Sequence, residues 1–145
     1  MYHNILMAYD GTAEGREVIR QGGELARMCQ AKVFLLAVLA TDPGTPPDEA
    51  TRENAAAIVR DGVNLLEETG LTCSGGVEIG EPVERIIRTA RENRHDLIIV
   101  GHRRMGQLAR WWRGSTGASL VAEAPCSVLV TVAPELARWS PPAQR

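Results

Sequence analysis

Residues 98–116 read IIVGHRRMGQLARWWRGST. With Leu97 in front, the run to Val100 is short, apolar and largely β-branched, which suits a strand buried on both faces of a parallel sheet. It ends at Gly101, and a helix is predicted to open at Ser115, directly after Gly114. The first turn of a helix leaves backbone N–H groups unpaired at the positive end of its dipole, a natural seat for an anion. Ser115 and Thr116 would add hydroxyl donors there. Between the two glycines stand Arg103, Arg104, Arg110 and Arg113, with no acidic residue to offset them. Two readings are open: a phosphate cradle, or a plain turn at Gly101 with solvated arginines and Ser115 as an ordinary cap. The place after a core strand, the second glycine and the charge bias together favour phosphate.

The same alternation extends over the whole chain. Asn4 to Tyr9 is predicted as a first strand ending at Asp10-Gly11-Thr12. A helix follows from about Glu14 to Met28, because Val18, Ile19, Leu25 and Ala26 fall at helical spacing. Lys32 to Leu39 is a second apolar strand. The loop TDPGTPPDEA then forbids regular structure, and Asp48 is placed to cap a helix that runs to about Glu68 and is closed by Gly70. Thr72 to Ile79, interrupted by Gly75 and Gly76, reads as an edge strand. Gly80-Glu81-Pro82 opens the next helix, with proline where its missing N–H costs little; Val83, Ile86, Ile87 and Ala90 carry it to near Asn93. After the basic loop come a helix from Ser115 to about Ala124 and a fifth strand, Ser127 to Val132.

Strands that alternate with helices in this way give a single α/β domain, a doubly wound five-stranded parallel sheet with helices on both faces, Rossmann-like in outline. It is expected over residues 1–133, with 134–145 as a C-terminal tail. In such sheets ligands bind beyond the carboxyl ends of the strands where the strand order reverses. With the order 3-2-1-4-5, Asp10 and Gly101 meet at that crevice although 91 positions separate them.

The chain has 145 residues, a net charge of -2 and a sequence pI near 5.9. Acidic balance argues against a protein that coats nucleic acid or a membrane surface, so any anion site is local. Cys29, Cys73 and Cys126 show no Cys-x-x-Cys spacing and fit reduced thiols in a cytoplasm. The start MYHNILMAYDG has no leader character, and no run of 18 apolar residues suggests a membrane span.

Several chemistries lack their residues. Lys32 is the only lysine, so no Walker loop can present one to a phosphate. GSTGAS is not a nucleophile elbow. Metal ligands do not occur at usable spacing, and His3, His95 and His102 are scattered. A receiver domain would need an aspartate after strand three and a lysine after strand five, and a flavodoxin-like protein a hydroxyl-rich loop after strand one. Trp111 and Trp112 are adjacent, so one of them is expected to be exposed.

The first strand ending in Asp-Gly-Thr, the second in LLAVLA, the Gly-Glu-Pro helix start, the Gly101 to Ser115 loop and the APCSVLV approach to the last strand resemble the universal stress protein family along nearly the whole chain. Nucleotide-binding members of that family carry Gly, two residues, Gly, nine residues, Gly, then Ser or Thr. Gly101, Gly114 and Ser115 match this pattern, with Met105 to Arg113 as the nine; the second glycine position holds Arg104. The resemblance implies ATP as ligand, with or without Mg. By position it places Ala8 and Val38 at the adenine pocket, Asp10 near the nucleoside, and Gly101, Arg103, Arg104, Gly106, Gly114, Ser115 and Thr116 along the phosphates. Asp10 has a second reading, as a brace for the turn after strand one.

The resemblance also implies a homodimer through the last strand, and SVLVTV is apolar and uncharged enough to pair at an edge. Two functions are expected as alternatives. One is an ATP-binding stress-response module with a protein partner and at most slow ATPase turnover; the other is a nucleotide-free interaction protein in which Arg104 blocks the phosphate site.

Overall fold

The structure, a computed structural model, describes residues 1–11, 13–40, 44–101 and 120–132. Its elements follow in the order β1 (Asn4–Ala8), α1 (Ala13–Cys29), β2 (Lys32–Leu39), α2 (Glu49–Glu68), β3 (Cys73–Ile79), α3 (Pro82–Glu92), β4 (Leu97–Gly101), α4 (Leu120–Glu123) and β5 (Ser127–Thr131). The sheet is parallel throughout and its order is β3-β2-β1-β4-β5, as expected. Element ends move by a residue or so: β1 stops at Ala8, β5 at Thr131, and β4 takes in Gly101, which pairs with Thr131. The helix expected from Ser115 is described from Leu120 onward; residues 115–119 and the tail from 133 lie outside the described residues.

Alternation along the pleat decides the two layers. Ile5 and Met7 of β1 point to one face, where they meet Val18 and Ala26 of α1 and Leu66 of α2. Leu6 and Ala8 point to the other, against Val83, Ile86 and Ala90 of α3 and Leu120 of α4. Ile5, Leu6 and Met7 are completely buried, as are Ile98 and Ile99 of β4. Each such side chain contributes about 1.5–3 kcal/mol relative to exposure. That is why the middle strands read as unbroken apolar runs.

The capping residues act as their types suggest. Asp48 accepts the Thr51 N–H at 2.8 Å to start α2, and Glu81 accepts the Glu84 N–H at 2.7 Å to start α3 one residue before Pro82. At the amino ends of the strands, the Asp96 carboxylate accepts the backbone N–H groups of His3 at 2.8 Å and Asn4 at 3.0 Å. The entrance to β4 is thereby tied to the entrance to β1.

Candidate functional site

The carboxyl ends of β1, β2 and β4 lie side by side. Met7 pairs with Ile99 across β1 and β4, and Ala8 pairs with Leu36 across β1 and β2. Two or three residues beyond these pairs, Asp10, Val38 and Gly101 come to one rim, where the connections diverge to opposite sides of β1. This is the switch point at which doubly wound sheets take their ligands. The Tyr9 N–H still reaches Leu36 O at 2.8 Å. Then the chain turns away at Gly11, whose φ of +79° few other residues adopt readily.

Ala8 is buried, Val38 half-buried and Asp10 exposed. The Asp10 carboxylate lies against the first turn of α1: a Cβ built on Gly15 would stand 2.7 Å from Asp10 Oδ1 and 3.0 Å from the Tyr9 ring. Its two sequence readings are thus compatible, since a brace at this turn also faces the rim. Tyr9 was not expected to matter. Its ring is buried beneath α1 and α2, in space left by Gly15 and Gly62. Burial raises its phenol pKa, while the positive charge of Arg16 opposes that shift.

On the other side of the rim, the Gly80 N–H donates to Leu39 O at 3.0 Å, fixing the start of α3 beside the end of β2. Gly80-Glu81-Pro82 reads in the sequence only as a helix start. The structure adds two side chains to this place, Glu81 and Arg85, each half-buried and each with a buried polar atom that has no hydrogen-bond partner.

Of the ten residues expected at the site, Ala8, Asp10, Val38 and Gly101 are brought together. Arg103, Arg104, Gly106, Gly114, Ser115 and Thr116 lie outside the described residues. Among the described residues, no group of three His, Cys, Asp or Glu side chains could hold a metal ion, and no helix is long and apolar enough to cross a membrane.

Comparison with known proteins agrees with this fold. The universal stress protein family profile matches residues 1–132. A universal stress protein of Thermus aquaticus, from the QAH/OAS sulfhydrylase 3' region, is 30% identical over 137 residues, covering 90% of this chain and 98% of the relative. YxiE of Bacillus subtilis is 26% identical over 146 residues, covering 90% and 99%. Among solved structures, a family member from Burkholderia pseudomallei superposes with a TM-score of 0.70 at 25% identity, covering 89% of this chain and 95% of its own. One from Archaeoglobus fulgidus in complex with dAMP has a TM-score of 0.71 at 22% identity, covering 90% and 98%. A universal stress protein in complex with cAMP gives 0.70 at 19%, covering 90% and 97%; at these identities the last two speak for the fold. With its five-stranded order and its match along residues 1–132, the chain belongs to the universal stress protein family.

Proposed function

We propose that this protein binds an adenine nucleotide, ATP in the first instance with or without Mg, at the rim formed by the ends of β1, β2 and β4. The observation that carries this reading is the convergence of Asp10, Val38 and Gly101 at the switch point of the sheet. Family members crystallised with dAMP and with cAMP support it. Small side chains at Ala8 and Val38 leave the strand backbones open to a base, and Asp10 is placed to accept from a ribose hydroxyl. The phosphates would fall to the loop after Gly101, with Gly114, Ser115 and Thr116 as donors and Arg103 and Arg104 as countercharge. Gly106 would give that loop its freedom. On this reading the protein acts as a cytoplasmic stress-response module whose nucleotide state alters what it binds, with little or no turnover.

Arg104 favours a second reading. It stands where nucleotide-binding relatives carry glycine, and a side chain there can occupy the phosphate position itself. The protein would then work as a nucleotide-free interaction module.

Denaturing the purified protein and analysing the supernatant for ATP or AMP, followed by titration of the stripped protein with Mg-ATP, separates the two. Retained nucleotide or a saturable heat of binding is expected. No nucleotide and no heat at millimolar ATP would end the first reading. Arg104→Gly gives the direction: tighter binding identifies the arginine as a block, weaker binding as a phosphate ligand.

A further inference from the structure

The layer of helices formed by α1 and α2 is not closed along its seam. Gly23 of α1 lets the two helices approach, since a Cβ there would stand 3.1 Å from Leu66 Cδ2. Beside that contact lies an open groove of about 420 Å3, within the range of about 300–1,000 Å3 that holds sizeable ligands. Its apolar lining is Ile19, Leu65 and Leu66, and Arg16, Arg20 and Arg27 stand along its α1 side. The lining is open to contact, Leu65 being 48% exposed. Because Leu65 and Leu66 belong to the last turns of α2, the groove lies toward the amino ends of the strands and away from the rim at Asp10.

The chain itself passes close to this groove. Past β5, the Val132 carbonyl accepts a hydrogen bond from Gln21 Nε2 of α1 at 3.3 Å, so the segment that follows is delivered onto α1. Gln21 and Gly23 are two positions apart, about 200° around the helix, and therefore mark opposite flanks of it. An α-helix with its side chains is about 10–12 Å across. Seven extended residues reach about 23–25 Å, enough to pass over α1 and down its far flank. The seventh residue after Val132 is Trp139.

The chemistry of the groove suits that residue. An apolar lining with guanidinium groups beside it offers an indole both burial and cation–π contacts on its faces. Glu24, which also lines the groove, can accept from the indole N–H. Pro134, Pro141 and Pro142 flank this stretch, and proline lowers the conformational entropy lost when a segment is ordered.

We propose that residues 133–145, which lie outside the described residues, cross α1 as a strap and seat Trp139 in the groove between α1 and α2 of the same chain. The strap covers Leu65 and ties the end of β5 to the helix layer. This inference is independent of nucleotide binding.

Fluorescence of the full chain carrying Trp111→Phe and Trp112→Phe, in which Trp139 is the remaining indole, tests it. Emission is expected to be blue-shifted from its position in urea and shielded from iodide, and Leu65→Lys should return it toward the urea position. Emission already at the urea position, or a blue shift indifferent to Leu65→Lys, overturns the inference. A blue shift lost on dilution assigns the groove to a second copy's tail and overturns the contact within one chain. In the otherwise wild-type protein, Trp139→Ala and Leu65→Lys should each lower the thermal midpoint by about 3–6 °C. The double variant should lose little more than the larger single loss, as for two residues in contact. Fully additive losses, or no loss from either change, overturn the inference.

Discussion

His95 is a buried imidazole, 6% exposed, with neither ring nitrogen making a hydrogen bond. The Phe34 ring is tilted against it at 6.2 Å, and the nearby Asn4 carbonyl already accepts the Asp96 N–H at 2.9 Å. Burial lowers its pKa below 6.5, outweighing the opposing influence of Asn4 and the Asp96 carboxylate. The unfolded chain therefore takes up the proton first. Stability is full above about pH 6.5 and falls as the pH drops through that value toward the lower folded pKa, by at most about 1.4 kcal/mol per pH unit for one proton. Thermal unfolding from pH 7.5 to 5 should show this decline, and His95→Leu should flatten it; an unchanged slope in the variant would remove the assignment. In the sequence this histidine is one of three scattered rings, because nothing local distinguishes a buried His from a solvated one. Cys73 is comparable: burial first, then Glu67, pushes its thiol to about 11, which makes it an inert thiol at neutral pH.

Among the elements, α3 was the most legible. Val83, Ile86, Ile87 and Ala90 recur at helical spacing and all four are buried against the sheet. Edge strand β3 was placed correctly, but for an incomplete reason. Gly75 does not merely weaken the strand: a Cβ there would meet Val59 of α2 at 2.5 Å and Leu35 O at 2.9 Å. The glycine lets α2 close over the edge, a requirement that exists only once the helix is docked. The Asp96 clasp between the entrances to β1 and β4 was not legible, since Asp96 and its partners His3 and Asn4 are about ninety residues apart. Asp96→Ala should leave two strand-entrance N–H groups without their acceptor and cost about 1–3 kcal/mol, read as a lower midpoint in urea. Asp96→Asn, which keeps one acceptor oxygen, should lose less. Equal stability of all three proteins would show that water replaces the carboxylate without loss.

At the scale of the molecule, β5 pairs with β4 alone in the described structure, and Leu129 and Val132 remain 38% and 40% exposed. An apolar edge of this kind is a template for a second chain, and we propose that two copies meet there about a two-fold axis. Light scattering of the dilute wild type should give twice the 15.8 kDa of one chain. Leu129→Lys, a charge on an already exposed side chain, should give the single-chain mass with little change in thermal stability. A wild type that scatters as one chain would discard the dimer.

The sequence by itself determined the class of fold, because apolar periodicity, helix caps and connection lengths are local quantities that a doubly wound sheet must satisfy one element at a time; the strand order entered as an expectation for such a sheet, and the structure shows it. It also marked Asp10 and Gly101, which stand at the ends of recognisable strands, and the family resemblance added Val38. Tertiary structure alone decided what surrounds them: the Tyr9 ring under Gly15, the unpartnered Glu81 and Arg85 beside Leu39, the His95 imidazole against Phe34. Burial and the loss or gain of a hydrogen-bond partner depend on residues distant in the chain, and those terms come into being only when the layers close.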